Sequence, residues 1–290
     1  MPRSTINGTA IDLDGKEMIL DADQDTTITA DTDDKIDFKT GGSDRLIIDP
    51  NGDLGIGVSP ESDHYSAYQN TNFGLTGLLG SASSGTNTTF LTNNAYLNTS
   101  ANWIYKEADE ATKYNQVSGT HIWETASSGS AGATISFSEV MKIDATGAVT
   151  KPLQPAFLAH ASGSQNDMTA GSTATAVLST EVYDQNNDFA SNTFTAPVDG
   201  KYFLVFTALF TDVQTECTEI EIRINTSNRI YRLFIIPSIQ LSADGSIGDS
   251  LSVVADMDAS DTAIIQVTPV GGSDEMNIHS YTFFSGYLVC

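Results

Sequence analysis

The chain has 290 residues, 40% of them apolar, and carries 13 Lys plus Arg against 37 Asp plus Glu, a formal charge of −24. That length and apolar share allow two or three packed domains and exclude global disorder. The negative charge argues against nucleic-acid binding, which needs a cationic surface, and against electrostatic docking on anionic lipid.

No apolar run approaches the length of a membrane span. Met1-Pro-Arg-Ser-Thr is followed by no apolar stretch, so no secretory signal is expected and synthesis in a cytosol is. Cys217 and Cys290 cannot build a disulfide framework, so the fold must rest on packing and assembly.

From the N-terminus, period-2 alternation with Gly, Asn and Asp between the runs predicts strands almost throughout. Thr26–Ala30 and Lys35–Phe38 are strands, with Ile36 and Phe38 on one face and Lys35, Asp37 and Lys39 on the other. Arg45–Asp49 is a strand, Pro50-Asn-Gly-Asp a tight turn, and Leu54–Val58 a returning strand. Each has a thin apolar face and a long edge, and three chains wrapped on one axis would cover both.

An internal echo follows. Leu46-Ile-Ile-Asp49-Pro-Asn-Gly52-Asp-Leu54 recurs as Met141-Lys-Ile-Asp144-Ala-Thr-Gly147-Ala-Val149, and each copy closes a segment. Between them, residues 61–138 are rich in small polar residues, with aromatic anchors at Trp103, Tyr105, His121 and Trp123. Such aromatics can stack on sugars but more commonly anchor a core or a subunit contact. Glu107–Tyr114 reads as a short helix or an irregular turn. After Lys151-Pro-Leu-Gln-Pro the runs lengthen, as in a self-contained β-sandwich. The expected domains are residues 1–60, a β-rich stem; 61–152, a middle β-rich module; and 153–290, the head.

The head carries Phe194-Thr-Ala-Pro197-Val-Asp-Gly200-Lys-Tyr202-Phe203, then Gly248-Asp-Ser-Leu-Ser-Val253, then Phe284-Ser-Gly286-Tyr287-Leu288. In this order the three strands resemble the complement C1q globular domain of the tumour-necrosis-factor superfamily. The resemblance implies a ten-stranded jelly roll that assembles as a trimer, with Phe194, Tyr202, Phe206, Phe284 and Tyr287 packing the core or the subunit contacts. The stretch Ile36–Gly57, and a second from Asn94 to Asp144, resemble modules of phage tail fibres. The fold class expected is thus all-β, a jelly-roll head on an intertwined trimeric stem.

Site chemistry is sparse. His64, His121, His160 and His279 have no metal-ligand spacing, and neither a phosphate loop nor a nucleophile elbow occurs. Asp256, Asp258 and Asp261 alternate as Ca2+ ligands could, and so do Asp21, Asp23 and Asp25, although the glycine and terminal Glu of a calcium loop are missing. The solvated turn is the commoner meaning of both. The function expected is a virion fibre with no catalytic residues and no cofactor beyond that possible calcium. Its partners would be copies of itself, virion proteins at the N-terminus, and a host surface glycan or protein at head loops near Gly163–Gly171, Thr211–Glu219 and Leu241–Gly248. A decoration fibre without a receptor is the alternative, and a polysaccharide-cutting tailspike a further one, which would need two carboxylates across a sugar.

Overall fold

A computed structural model describes residues 16–30, 32–85, 87–240, 242–272 and 276–290. The first fifteen residues, where docking on a particle was expected, and Leu241 at the start of one expected loop lie outside the described residues. The chain divides into two compact units, Met1–Pro152 and Leu153–Cys290. Among the described residues the only helix is one turn, Pro237–Gln240, so the protein is all-β as expected.

The first unit is built on one twelve-stranded sheet, running in chain order from Met18–Ile19 to Val149–Thr150. Ala95–Leu97 and Trp103–Tyr105 leave that order to form a two-stranded ribbon. Neighbours in the sheet are antiparallel except Leu54–Ile56 with Tyr68–Phe73, a parallel pair. Residues 57–67 supply the crossover that parallel pairing requires, and the sheet therefore runs straight through residue 60. Of Glu107–Tyr114, residues 107–110 form an irregular bend and residues 111–114 already belong to the strand Ala111–Val117.

The repeated turn is the same object twice. Asp49 Oδ1 accepts the N–H groups of Asn51 and Asp53 at 2.9 and 2.8 Å. Asp144 Oδ1 accepts those of Thr146 and Ala148 at 2.8 and 2.9 Å. Gly52 and Gly147 donate back to the carbonyls of Asp49 and Asp144 at φ of 81° and 90°, a left-handed conformation that requires glycine.

The head is a sandwich of a seven-stranded and a six-stranded sheet. These are thirteen strand segments among the described residues rather than ten, because short pieces such as Ala174–Thr175 and Phe189–Ala190 pair at the sheet margins. The strand Gly200–Thr211 organises the first sheet, pairing with Ile247–Met257 on one side and Phe283–Leu288 on the other. Its alternate residues Tyr202, Leu204, Phe206, Ala208 and Phe210 point inward and are almost wholly buried. They meet Ile220, Ile222, Ile224, Ile265 and Val267 of the opposing sheet in one continuous core. Phe157 sits among the rings of Phe189, Phe194 and Phe284, with centroids 4.7–5.0 Å away. Among the described residues, the first unit has a small apolar cluster, Ala95, Tyr105, Ala111 and Ile135, with Trp103 and Phe137 against it.

Candidate functional site

Two surfaces stand out because their chemistry is wrong for water. The first is the outward side of the seven-stranded head sheet. Cross-strand register there sets out three rows: Val254–Phe203–Tyr287–Ala156, Ser252–Val205–Ser285–Leu158–Tyr183 and Ser250–Thr207–Phe283–His160–Thr180. No Asp, Glu, Lys or Arg occurs in any of them. Val254, Tyr183 and Tyr287 are about half exposed, and the Phe203 and Tyr287 rings lie 5.5 Å apart.

This surface sorts the aromatic residues expected to pack the core or the trimer. Phe194, Tyr202, Phe206 and Phe284 are fully buried core residues. Tyr287 does not share the core with Phe284, because three positions along a strand reverse the face. It lies instead on the outward rows. Phe203, Val205 and Val254 were missed in the sequence reading. The signal was present in Tyr202-Phe-Leu-Val-Phe-Thr-Ala-Leu-Phe, a strand apolar on both faces where an antiparallel strand with one wet face would alternate.

The second surface belongs to the first unit. One side of its sheet carries the row Ile36–Ile48–Leu54–Thr71–Leu79–Leu91–Tyr114–Trp123–Met141, which crosses nine strands. Beside it runs Met18–Ile28–Phe38–Leu46–Ile56–Phe73. At about 4.8 Å per strand, the longer row extends roughly 38 Å. Ile36, Ile56, Phe73, Leu79 and Leu91 are each 40–47% exposed. The groove between Phe73, Leu91, Tyr114 and Trp123 has a volume of about 460 Å³.

The opposite side carries Asp37–Ile47–Gly55–Asn72–Leu78–Thr92–Lys113–Glu124, and it is the buried one. The alternation at residues 35–39 thus exists with its burial inverted. Asp37 is 2% exposed and pairs with Lys35 at 3.0 Å, while Ile36 is left in water. Polar groups can occupy that side because they are matched. Lys113 pairs with Glu124 at 2.9 Å and lies 4.6 Å from the ring centres of Trp103 and Phe137. Asp53 accepts the Asn70 N–H at 2.8 Å, although burial still pushes its carboxyl above the usual range. Trp103 and Tyr105 are core anchors, whereas Tyr114 and Trp123 belong to the apolar row and His121 packs against Tyr114.

The acidic triplets behave differently from each other. Asp256, Asp258 and Asp261 are not gathered. Asp256 pairs with Arg229 at 2.9 Å, while Asp261 accepts from the Asn228 amide and the Asp258 N–H. Asp21, Asp23 and Asp25 bring carboxylate oxygens within 4.8 Å of one another, and Asp21 also caps the Thr26 N–H at 3.2 Å. Exposed acidic groups are common without an ion. His64 is buried against Asn72 and His121 bonds Tyr114 in the first unit, whereas His160 and His279 belong to the head.

Comparison with known proteins bears on the head. Residues 156–289 match the family model for the C1q domain. Among solved structures, the chain is similar to the globular domain of zebrafish complement 1qA protein, at 20% identity over 47% of this chain and 98% of that one, with a TM-score of 0.35. It is also similar to murine APRIL, at 10% identity over 47% and 99% (TM-score 0.35), and to Eiger TNF from S. frugiperda, at 11% over 47% and 94% (TM-score 0.36). No curated protein matches the chain.

Proposed function

We propose, from the premise that residues 156–289 form a C1q domain, that the chain is one subunit of a homotrimeric virion fibre whose head recognises a glycan on the host surface. The observation that carries this reading is the pair of sheet surfaces, one on each unit, whose charge-free rows a single chain leaves in water. Each copy bears a formal charge of −24, so two copies repel wherever their charges face one another. They can approach closely only through surfaces without charge, and both units present one. Covering apolar area is worth about 25 cal/mol per Å². A patch wider than about 400 Å² is uncommon on a lone soluble protein.

In this reading the rows through Phe203 and Val205 of three heads meet around an axis, the Phe283–His160 row stays at the open margin, and the first unit supplies the stalk. Its N-terminal end attaches to other virion proteins, and the fibre is made in the host cytoplasm and carried on the particle. Three equal binding sites per fibre raise avidity without strong single contacts. No step of the reading is catalytic.

The test is the solution mass of the full chain by light scattering. A value three times the 30.9 kDa chain is expected, and a monomer at micromolar concentration sinks the proposal. Blocking of particle adsorption by the purified protein then separates a receptor-binding fibre from a decoration fibre, which would not block.

A further inference from the structure

We infer that the head holds its receptor site beside Tyr281, in a cleft of about 450 Å³ lined by His160, Ser162, Ser280 and Tyr281, and that this cleft takes an uncharged sugar ring. The inference rests on the reading of the head as the receptor-binding end and gives it a location and a ligand class.

Tyr281 is 76% exposed, more than any other large aromatic residue described. Its neighbour Thr282 is fully buried, and the Thr282 Oγ1 accepts the Leu209 N–H at 3.2 Å. The Thr282 carbonyl also accepts the Ala161 N–H at 3.1 Å, which ties the two walls of the cleft together. The Tyr281 N–H donates to His279 Nδ1 at 3.2 Å, and the two rings pack edge to face at 4.6 Å. An exposed aromatic ring is therefore presented on an anchored turn, so little freedom remains to be lost when a ligand covers it.

The remaining lining offers hydrogen bonds without charge. Ser162 and Ser280 bring hydroxyls, and Ser162 Oγ is steadied by Ser179 Oγ at 2.7 Å. His160 Nδ1 donates to the Ala161 carbonyl at 2.8 Å, which leaves Nε2 of the neutral ring as an acceptor. None of these side chains is a carboxylate or a permanent cation. A metal ion would find no anionic ligand here, and an anionic group would find no counter-charge and would meet the field of the whole acidic molecule. A ring with one apolar C–H face and several hydroxyls matches both parts of the cleft, and the volume falls in the range of small-molecule sites, roughly 300–1,000 Å³.

The experiment applies the full chain to an immobilised panel of neutral hexose and N-acetylhexosamine oligosaccharides, with sialylated and sulfated counterparts. Binding to neutral members is expected. Tyr281→Ala should weaken it about tenfold, and Tyr281→Trp should keep it within a few-fold, both with unchanged solution mass. Unaltered binding by Tyr281→Ala, or preference for the charged members, overturns the cleft while leaving a receptor-binding head intact. No panel binding, with adsorption blocking that Tyr281→Ala abolishes, overturns the sugar class. Absence of both panel binding and adsorption blocking overturns the receptor reading itself.

Discussion

The two sheets of the head share one core and differ on their outward sides. The six-stranded sheet is dressed for water. Arg232, Arg223 and Gln266 stand in one cross-strand row there, and Glu221 takes ion pairs from both Arg223 and Arg232. The seven-stranded sheet shows Phe203, Val205, Tyr287 and Leu158 instead, in rows without a single charge. Inward burial therefore does not tell the two sheets apart, and the outward chemistry does. The contrast teaches that two sheets equally buried inside can differ completely in their outward chemistry.

The largest expected effect breaks the contrast outright. Phe203→Glu places a charge in the middle of the neutral rows, and an uncompensated charge buried in a contact costs on the order of 3–5 kcal/mol per copy. If the proposed trimer forms through these rows, light scattering should show it replaced by monomer, while circular dichroism keeps its β signal. A trimer that persists would mean that the rows are not the contact. The inward counterpart is Phe157→Ala, which removes a ring packed among three others. It should lower stability by about 3–5 kcal/mol in denaturant unfolding, with a dissociation no larger than that loss of fold explains.

Smaller changes sharpen the comparison elsewhere. Gly147→Ala forces a side chain into a left-handed turn and should cost about 1–2 kcal/mol, read as a lower midpoint of thermal unfolding. Gly52→Ala should do the same, since the two turns share their hydrogen bonds. The smallest expected effect is Glu221→Gln on the water-facing sheet, about 1 kcal/mol, because Arg232 is half exposed and screened. Its pH signature is more telling than its size. The Arg223 guanidinium holds the Glu221 carboxyl below its ordinary value. The stabilisation is therefore complete above an unfolded pKa of about 4.3 and is lost as pH falls through the lowered folded value. Stability of Glu221→Gln measured across that acid window should vary less with pH than that of the parent chain.

Much of the fold was legible in the chain itself. Period-2 alternation with Gly and Asn turns is a local property, and it led to an all-β protein whose head begins after residue 152. The echo of Asp49-Pro-Asn-Gly52 in Asp144-Ala-Thr-Gly147 was legible too, since a turn that needs an Asp acceptor and a glycine at positive φ leaves a fixed residue pattern. The order of the Phe194–Phe203, Gly248–Val253 and Phe284–Leu288 strands pointed to the C1q domain that residues 156–289 match.

What only the tertiary structure decided is which side of each strand is covered and what meets across strands. Alternation divides Ile36 and Phe38 from Asp37, but it does not say which set faces the protein. Lys35 neutralises Asp37, and the polar side of that sheet became the buried one. Tyr287 and Phe284 look equivalent in a string of letters, yet three positions along a pleated strand send them to opposite faces. The apolar row from Ile36 to Met141 draws one residue from each of nine strands, so no local window shows more than a small part of it. The spacing of Asp256, Asp258 and Asp261 suggested a shared ion, but side-chain partners are chosen in space, and Arg229 had already taken Asp256. Periodicity along the chain is set by backbone geometry and survives in the sequence. Register between strands is set by packing, and it exists only once the strands have met.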